Sequence, residues 1–446
     1  MEWLLERFAT SPDRIAFARD DAKTTYGELL QRTRAFGDEI ARLEIDAGDR
    51  VAVLGDFSPD VFCFIMALAK HGCITIPLTR ESVVEVSTAL DVSGCEWFAE
   101  FDAANANVSI RQRRVAVDTA LIEELRRRNT PGMIFFSSGS TGVPKGILHD
   151  FNRVVDKFRV QRPPVVAISF LMLDHFGGIN TILAITSGLG TVATVKDRSA
   201  QSICSAIAQY RVTLLPATPS FLTLLMASGL HKRFDLSSLA RITYGTEVMP
   251  QATLDRLRLA FPGVELQQTY GLSELGVLRS QSRDDGSLWV RIGGKGFETK
   301  VVDGILWIRS EFAMLGYLNA PSMFDAEGWF NTQDRVEVDG EYFRILGRIT
   351  DLINVGGQKV YPAEIEDTIL ALDNIEDVSV YGEPHSMLGN IIVAKVATIA
   401  PEDLQSLKAR IRAACRAKLA LFKVPSKVVI ADSAFHSARH KKMRQA

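Results

Sequence analysis

Lys145 closes the run FFSSGSTGVPKG (135–146), in which four hydroxyl side chains and three glycines follow an apolar stretch. Ser137, Ser138, Ser140 and Thr141 offer hydroxyl donors, and Gly139, Gly142 and Gly146 let backbone N–H groups approach an anion. Lys145 adds a mobile cation, and the set suits a polyphosphate. It is not the Walker loop, in which a Ser or Thr follows the lysine to reach a metal; Gly146 stands there instead. Taken alone, the window also reads as a surface turn after a buried strand. Four further stretches each present a group that a nucleotide would use. TYGLSE (269–274) ends in the Glu274 carboxylate, and TQDR (332–335) presents Asp334. GRITDLINVGGQKVYPAEIE begins at Gly347 and contains Arg348, and HSARHKKMR near the end contains Lys441.

These loops need a scaffold. Short apolar, β-branched runs alternate with longer helical patterns: RVAVLG and a helix from Pro59, then CITIPL, MIFFSS, VVAISFLML, VTLLPAT, RITYGTE and VELQQTYG. The alternation predicts an α/β fold with covered, largely parallel sheets, whose sites lie at the carboxyl ends of strands, where these loops occur. After about Gly347 the pattern changes. IEDVSVYG, NIIVAKVAT and KVVIA read as strands, and the run Pro401 to Lys418 places Leu404, Leu407, Ile411 and Cys415 on one helical face. The expected division is a large domain over 1–347, a hinge over 348–354 and a small mobile α+β domain over 355–446.

Composition removes several function classes. With 446 residues, 47% hydrophobic and 23% charged, the chain is an ordinary globular one. A net charge of −2 leaves no basic footprint for nucleic acid or an anionic membrane. The five cysteines (63, 73, 95, 204 and 415) lie far apart without metal-ligand spacing, which fits reduced thiols in the cytoplasm. The amino terminus, MEWLLERFAT, carries acids and lacks a small-residue cleavage site, so no secretory signal is expected. The most apolar window, from Val61 to Leu78, is interrupted by Lys70, His71 and Gly72, so no membrane span is expected.

In this order, the five quoted stretches resemble the motifs of the adenylate-forming superfamily of acyl-CoA synthetases, luciferases and peptide-synthetase adenylation domains. The resemblance runs from TTYGEL near Thr24 to Arg444 and is greatest to compact acyl- or aryl-CoA ligases. It implies that a carboxylate attacks the α-phosphorus of ATP, giving an acyl-adenylate and pyrophosphate, and that a thiol then displaces AMP. Such chemistry needs positioning and charge stabilisation rather than a covalent enzyme intermediate.

By that resemblance, Ser137 to Lys145 cradle the β- and γ-phosphates, and Gly245, Thr246, Glu247 and Thr269 belong to the adenine pocket, with Tyr270 stacking on the base. Ser273 touches the α-phosphate and Glu274 holds Mg²⁺, a hard cation. Asp334 and Arg348 contact the ribose, and Asp351 is the hinge. Gly356 and Gly357 let a pantetheine arm pass, and Lys441 stabilises charge around the α-phosphate. The plainer readings are a capped turn for Ser273 and Glu274, an ion pair for Asp334 and Arg348, a turn for the glycine pair, and Lys442 in place of Lys441. Departures from the family pattern are Gln333 for a glycine, Ile305 for a glutamate and His440 for a glycine.

Within SFLMLDHFGGIN, Asp174 and His175 compete for the place beside the acyl pocket, and a core histidine is the plainer reading. Phe176, Gly177 and Gly178 suit a flat or apolar group, and Phe221 is expected to line the same pocket. An aryl or apolar carboxylic acid is therefore favoured, with an amino acid held by Asp174 as runner-up. Coenzyme A is the favoured acceptor, because of GGQKVYPAEIE. A separate carrier protein bearing phosphopantetheine is the alternative, since no carrier domain follows Ala446. A nonenzymatic nucleotide-binding relative is the reading of another class, which Lys145, Glu274, Asp334 and Arg348 argue against.

Overall fold

In a computed structural model of the chain, residues 1–82, 84–113, 119–137 and 143–431 are described. Ser138, Gly139, Ser140, Thr141, Gly142 and Lys441 lie outside the described residues.

Two seven-stranded sheets carry the large domain. In the first, Glu265–Gln268, Arg241–Tyr244, Leu214–Ala217, Val166–Ile168, Thr191–Ala193 and Ile15–Arg19 run parallel, and Ala22–Thr25 closes the edge antiparallel. The second has a parallel centre of Gly132–Ser137, Ile74–Leu78, Arg50–Leu54 and Trp97–Phe101 with antiparallel edges. Arg50–Leu54 and Ile74–Leu78 are buried throughout, as strands covered on both faces must be. The helix Pro59–His71 is likewise buried from Val61 to Ala69. Ser58 caps its start by accepting from the Val61 N–H at 3.1 Å, and Gly72 at φ 89° ends it. This burial explains the apolar window: among the described residues no helix is long and apolar enough to cross a membrane.

A third, six-stranded sheet between Ser280 and Arg348 is wholly antiparallel and adds to what the alternation predicts. Its strands alternate buried and open residues, as Phe330–Asp339 does, so they lack the continuous apolar runs of the parallel strands.

The sheet of the small domain begins at Ile353–Val355, after the turn Ile349–Asp351. It packs on the helices Pro362–Leu370 and Leu404–Lys418. Leu407, Ile411 and Cys415 are buried there, whereas Leu404 is 41% exposed: the first turn of the helix lies outside the contact. The two domains meet where the Ala252 N–H donates to Asp367 Oδ1 at 3.0 Å and the Arg256 guanidinium donates to the Leu370 carbonyl at 2.7 Å.

Candidate active site

A cleft of about 2080 Å³ opens at the carboxyl ends of the first sheet's parallel strands and is bounded on one side by the small domain. Ser137, Lys145, His175, Phe176, Gly177, Gly245, Thr246, Thr269, Tyr270, Ser273, Glu274, Arg348 and Asp351 all line it. Residues separated by more than two hundred positions thus share one space.

The run FFSSGSTGVPKG connects two antiparallel strands, with Ser137 opposite Lys145 in register. This hairpin differs from the strand-to-helix turn of a Walker site. Asn319 secures its return: its side-chain amide donates to the Pro144 carbonyl at 2.8 Å, and its Oδ1 accepts from the Gly146 N–H at 3.0 Å. The Lys145 ammonium lies 5.2 Å from the centroid of the Tyr317 ring. The Tyr317 hydroxyl in turn donates to Glu274 Oε1 at 2.8 Å. Tyr317 therefore ties the lysine of one motif to the carboxylate of another, although it belongs to neither.

Register places the next pair. Asp334 stands opposite Arg348 on adjacent antiparallel strands, and Oδ1 lies 3.4 Å from Arg348 Nε. Oδ2 accepts from the Tyr270 hydroxyl at 2.5 Å. Burial raises the Asp334 carboxyl above its usual range while the neighbouring guanidinium pulls it down, and burial pushes the Tyr270 phenol far up. Asp334 thus sits just behind the wall of the cleft, held by Tyr270 and Arg348. Gln333, beside it, adopts φ +61°, a backbone conformation that costs an L-residue about 1–2 kcal/mol. The turn is kept by the Gln333 N–H, which donates to Asn331 Oδ1 at 2.9 Å.

Of the residues expected at an adenine wall, Gly245, Thr246 and Thr269 line the cleft. At Gly245 a Cβ would lie 2.4 Å from Thr269 Oγ1, so only glycine lets the two strand ends approach so closely. Glu247 is not on the wall, because its carboxylate turns back to accept from the Ser220 hydroxyl at 2.6 Å. Gly356 and Gly357, at φ +56° and +85°, make the tight turn between Ile353–Val355 and Gln358–Val360 and do not line the cleft.

On the acyl side, His175 caps the helix Phe176–Ser187, its Nδ1 accepting from the Gly177 N–H at 3.0 Å. Gly178 is required because a Cβ there would lie 2.1 Å from the Met172 carbonyl. Asp174 and Phe221 are both buried and off the cleft wall. Phe221 packs instead on Phe170, ring to ring at 4.6 Å. Phe176 stacks against Phe135 at 5.2 Å and against His149 at 4.9 Å.

His149, a residue the motifs do not mark, is wholly buried and donates from Nε2 to the Ser273 carbonyl at 2.7 Å, which fixes the TYGLSE turn. Burial lowers its pKa from 6.5 to about 4. The bond to Ser273 and the packing against Phe135 and Phe176 explain its place, which no motif signals in the sequence. All five cysteines are buried and free.

Residues 4–318 match the AMP-binding enzyme family, and residues 364–442 match the C-terminal domain of AMP-binding enzymes. The chain belongs to this family. It is 27% identical over 483 residues to a long-chain-fatty-acid–CoA ligase of Mycobacterium tuberculosis, covering 97% of this chain and 94% of that protein. It is equally 27% identical over 488 residues to an indoleacetate–CoA ligase of Aromatoleum aromaticum, with the same coverage. Among solved structures, the anthranilate CoA ligase AuaEII in complex with anthranoyl-AMP superposes with a TM-score of 0.84 at 20% identity, covering 98% of this chain and 94% of that one. The fold is thus that of adenylate-forming enzymes.

Two measurements follow from this geometry. Between pH 6.5 and about 4 the unfolded chain takes up a proton at His149 that the folded chain refuses. Stability at this site is therefore full above pH 6.5 and is lost as pH falls, at up to about 1.4 kcal/mol per unit. Urea midpoints measured at pH 7.5 and 5 should fall less steeply for His149→Phe than for the native chain; equal slopes contradict a neutral buried imidazole. Gln333→Gly should raise stability by about 0.5–1 kcal/mol, the relief at positive φ exceeding the added freedom of the unfolded chain. A loss of stability in the same denaturation assay would mean that the glutamine side chain holds the turn.

Proposed function

We propose that the chain uses ATP to convert a carboxylic acid to its acyl-adenylate and then passes the acyl group to coenzyme A. The observation that carries this reading is the convergence of Lys145, Tyr317, Glu274, Arg348 and Tyr270 on one cleft, with Asp334 held just behind its wall by Tyr270 and Arg348. The CoA-ligase activity in the names of the relatives supports it, and so does the match to the family's C-terminal domain.

In this reading the Lys145 ammonium, braced by the Tyr317 ring, faces the terminal phosphates. The flat Gly245 wall and Tyr270 take the adenine, while Asp334 and Arg348 hold the ribose; a carboxylate engaged at both oxygens still has lone pairs to offer. The donor set fits Mg²⁺, which is bound through one or two carboxylates together with substrate phosphates rather than in a cage of protein ligands. Glu274 supplies one such carboxylate: Oε1 is taken by Tyr317, and Oε2 has no hydrogen-bond partner among the described residues. No group of three metal-ligating side chains occurs among the described residues. Bound there, Mg²⁺ would neutralise phosphate charge. The small domain, turning about Asp351, brings Lys441 to the α-phosphate for the first step. It then withdraws Lys441, and the Gly356–Gly357 turn admits the thiol. Phe176 and Gly177 favour an aryl or apolar acyl body, and the buried free cysteines fit a cytoplasmic protein.

The test is carboxylate-dependent exchange of labelled pyrophosphate into ATP over a panel of aryl and aliphatic acids. Glu274→Gln should slow exchange by roughly 10²-fold and move the Mg²⁺ titration to higher concentration, since an amide is a poorer ligand for a hard cation. Tyr317→Phe should cost roughly 10- to 100-fold, the scale of one hydrogen bond to a charged group. Exchange that ignores added carboxylate, or an unaltered Mg²⁺ titration in Glu274→Gln, contradicts the assignment.

A further inference from the structure

The cleft continues past the nucleotide groups along the open face of the first sheet. On the adjacent strands Arg241–Tyr244 and Glu265–Gln268, Thr243 and Gln267 face it, whereas Ile242 and Leu266 are buried in the core behind. Opposite them the helix Phe176–Ser187 presents Gly177, Thr181 and Ala184, about one turn apart. The result is a channel between helix and sheet. It starts at Gly245 and Thr269, where the strands end beside Glu274, and runs back to Arg241 and Glu265, where they begin. At about 3.3 Å per residue that is roughly 13 Å.

Cations gather along this channel. Lys157, Arg162 and Arg279 all line it, and Arg162 and Arg279 lie close enough to Lys157 to repel its charge. Arg162 also feels Arg279 and Arg241, which places it beside the starts of the strands. Arg241 is neutralised by Glu265 at 2.7 Å. Arg162 and Arg279 have no carboxylate partner among the described residues, and both are exposed. Lys157 donates to Asn180 Oδ1 at 2.7 Å and to the Val277 carbonyl. An ammonium has three donors, so one remains. Enclosure, and the two guanidinium groups after it, depress the Lys157 ammonium to about 7. Three neighbouring cations without a carboxylate partner set a positive local potential that attracts an anion.

We infer that the acyl substrate carries a second anionic group at its far end, of the carboxylate class, and that Lys157, Arg162 and Arg279 hold it. The acyl body crosses the channel, one acidic end meets ATP beside Glu274, and the other meets the cations. The chain then selects ω-acidic acids over acids with a neutral tail. This inference rests on the reading that the chain adenylates a carboxylate.

The pyrophosphate exchange assay separates the two. It contains no thiol, so the phosphates of a thiol acceptor cannot produce the selectivity. Straight-chain and aryl diacids of graded length are compared with their half methyl esters, which keep the length and lose the far charge. At the best length, kcat/KM should favour the diacid at least tenfold. Arg162→Gln/Arg279→Gln should lower the diacid-to-half-ester ratio at least tenfold. This variant is the decisive one, because Lys157→Met would also break the bonds that tie Lys157 to Asn180 and Val277. If diacid and half ester exchange equally, or if the ratio is the same in the double variant, the inference is overturned and the adenylation reading stands. If no acid of either series and no apolar acid supports exchange, the adenylation reading falls and takes the inference with it.

Discussion

Arg348 stands between two carboxylates, and the rest of the site is arranged around that placement. Strand register sets it opposite Asp334, at 3.4 Å, while its field also reaches Glu274. Two acids this close to one cleft would repel an anionic ligand unless a fixed cation stood among them. Tyrosine hydroxyls complete the balance: Tyr270 donates to Asp334 and Tyr317 donates to Glu274. Arg348 is also the last residue of the antiparallel sheet before the turn Ile349–Asp351. The same backbone position therefore fixes the pairing with Asp334 and starts the passage to the small domain.

The sequence shows the parts of this arrangement that are local in the chain. The apolar runs of the parallel strands were legible because covered strands need continuous hydrophobic residues, and Arg50–Leu54, Ile74–Leu78 and Gly132–Ser137 fall where RVAVLG, CITIPL and MIFFSS predict them. The antiparallel sheet was not, since its strands are half open and their alternation is interrupted by register shifts such as that between Arg335 and Val336. Within the site, motif residues such as Lys145, Tyr270 and Glu274 reach the cleft. Glu247 does not, because adjacency to Gly245 and Thr246 says nothing about which way a side chain turns, and Ser220 offers it a partner on the other side. Asp174 fails for a related reason: the His175 cap and the tight Gly178 approach aim the helix so that Phe176 and Gly177 face the cleft, and Phe221, on another helix, packs on Phe170 instead. Asn319 and His149 were invisible because each acts on a motif more than a hundred residues away in the chain, and Tyr317 because it joins two motifs, Glu274 and Lys145, while belonging to neither.

The acyl channel shows the same limit at larger scale. Its polar lining comes from alternate residues of strands whose other residues fill the core, and a two-residue period in four-residue strands leaves little trace in the sequence. Lys157 and Arg162 come from one connection and Arg279 from another more than a hundred residues on, so their grouping is a property of the fold alone. Read by motif, the chain favours an apolar acid; read by volume and charge, it offers an apolar body a charged terminus.

The central claim is that the carboxylate oxygen attacks the α-phosphorus. An acid labelled with ¹⁸O in its carboxylate, turned over with ATP and coenzyme A, tests this most directly. The bridging oxygen of the adenylate stays on phosphorus when the thiol attacks the carbonyl carbon, so mass spectrometry should find one labelled oxygen per AMP and none in pyrophosphate. Label appearing in inorganic phosphate, or AMP free of label alongside thioester, would contradict the account.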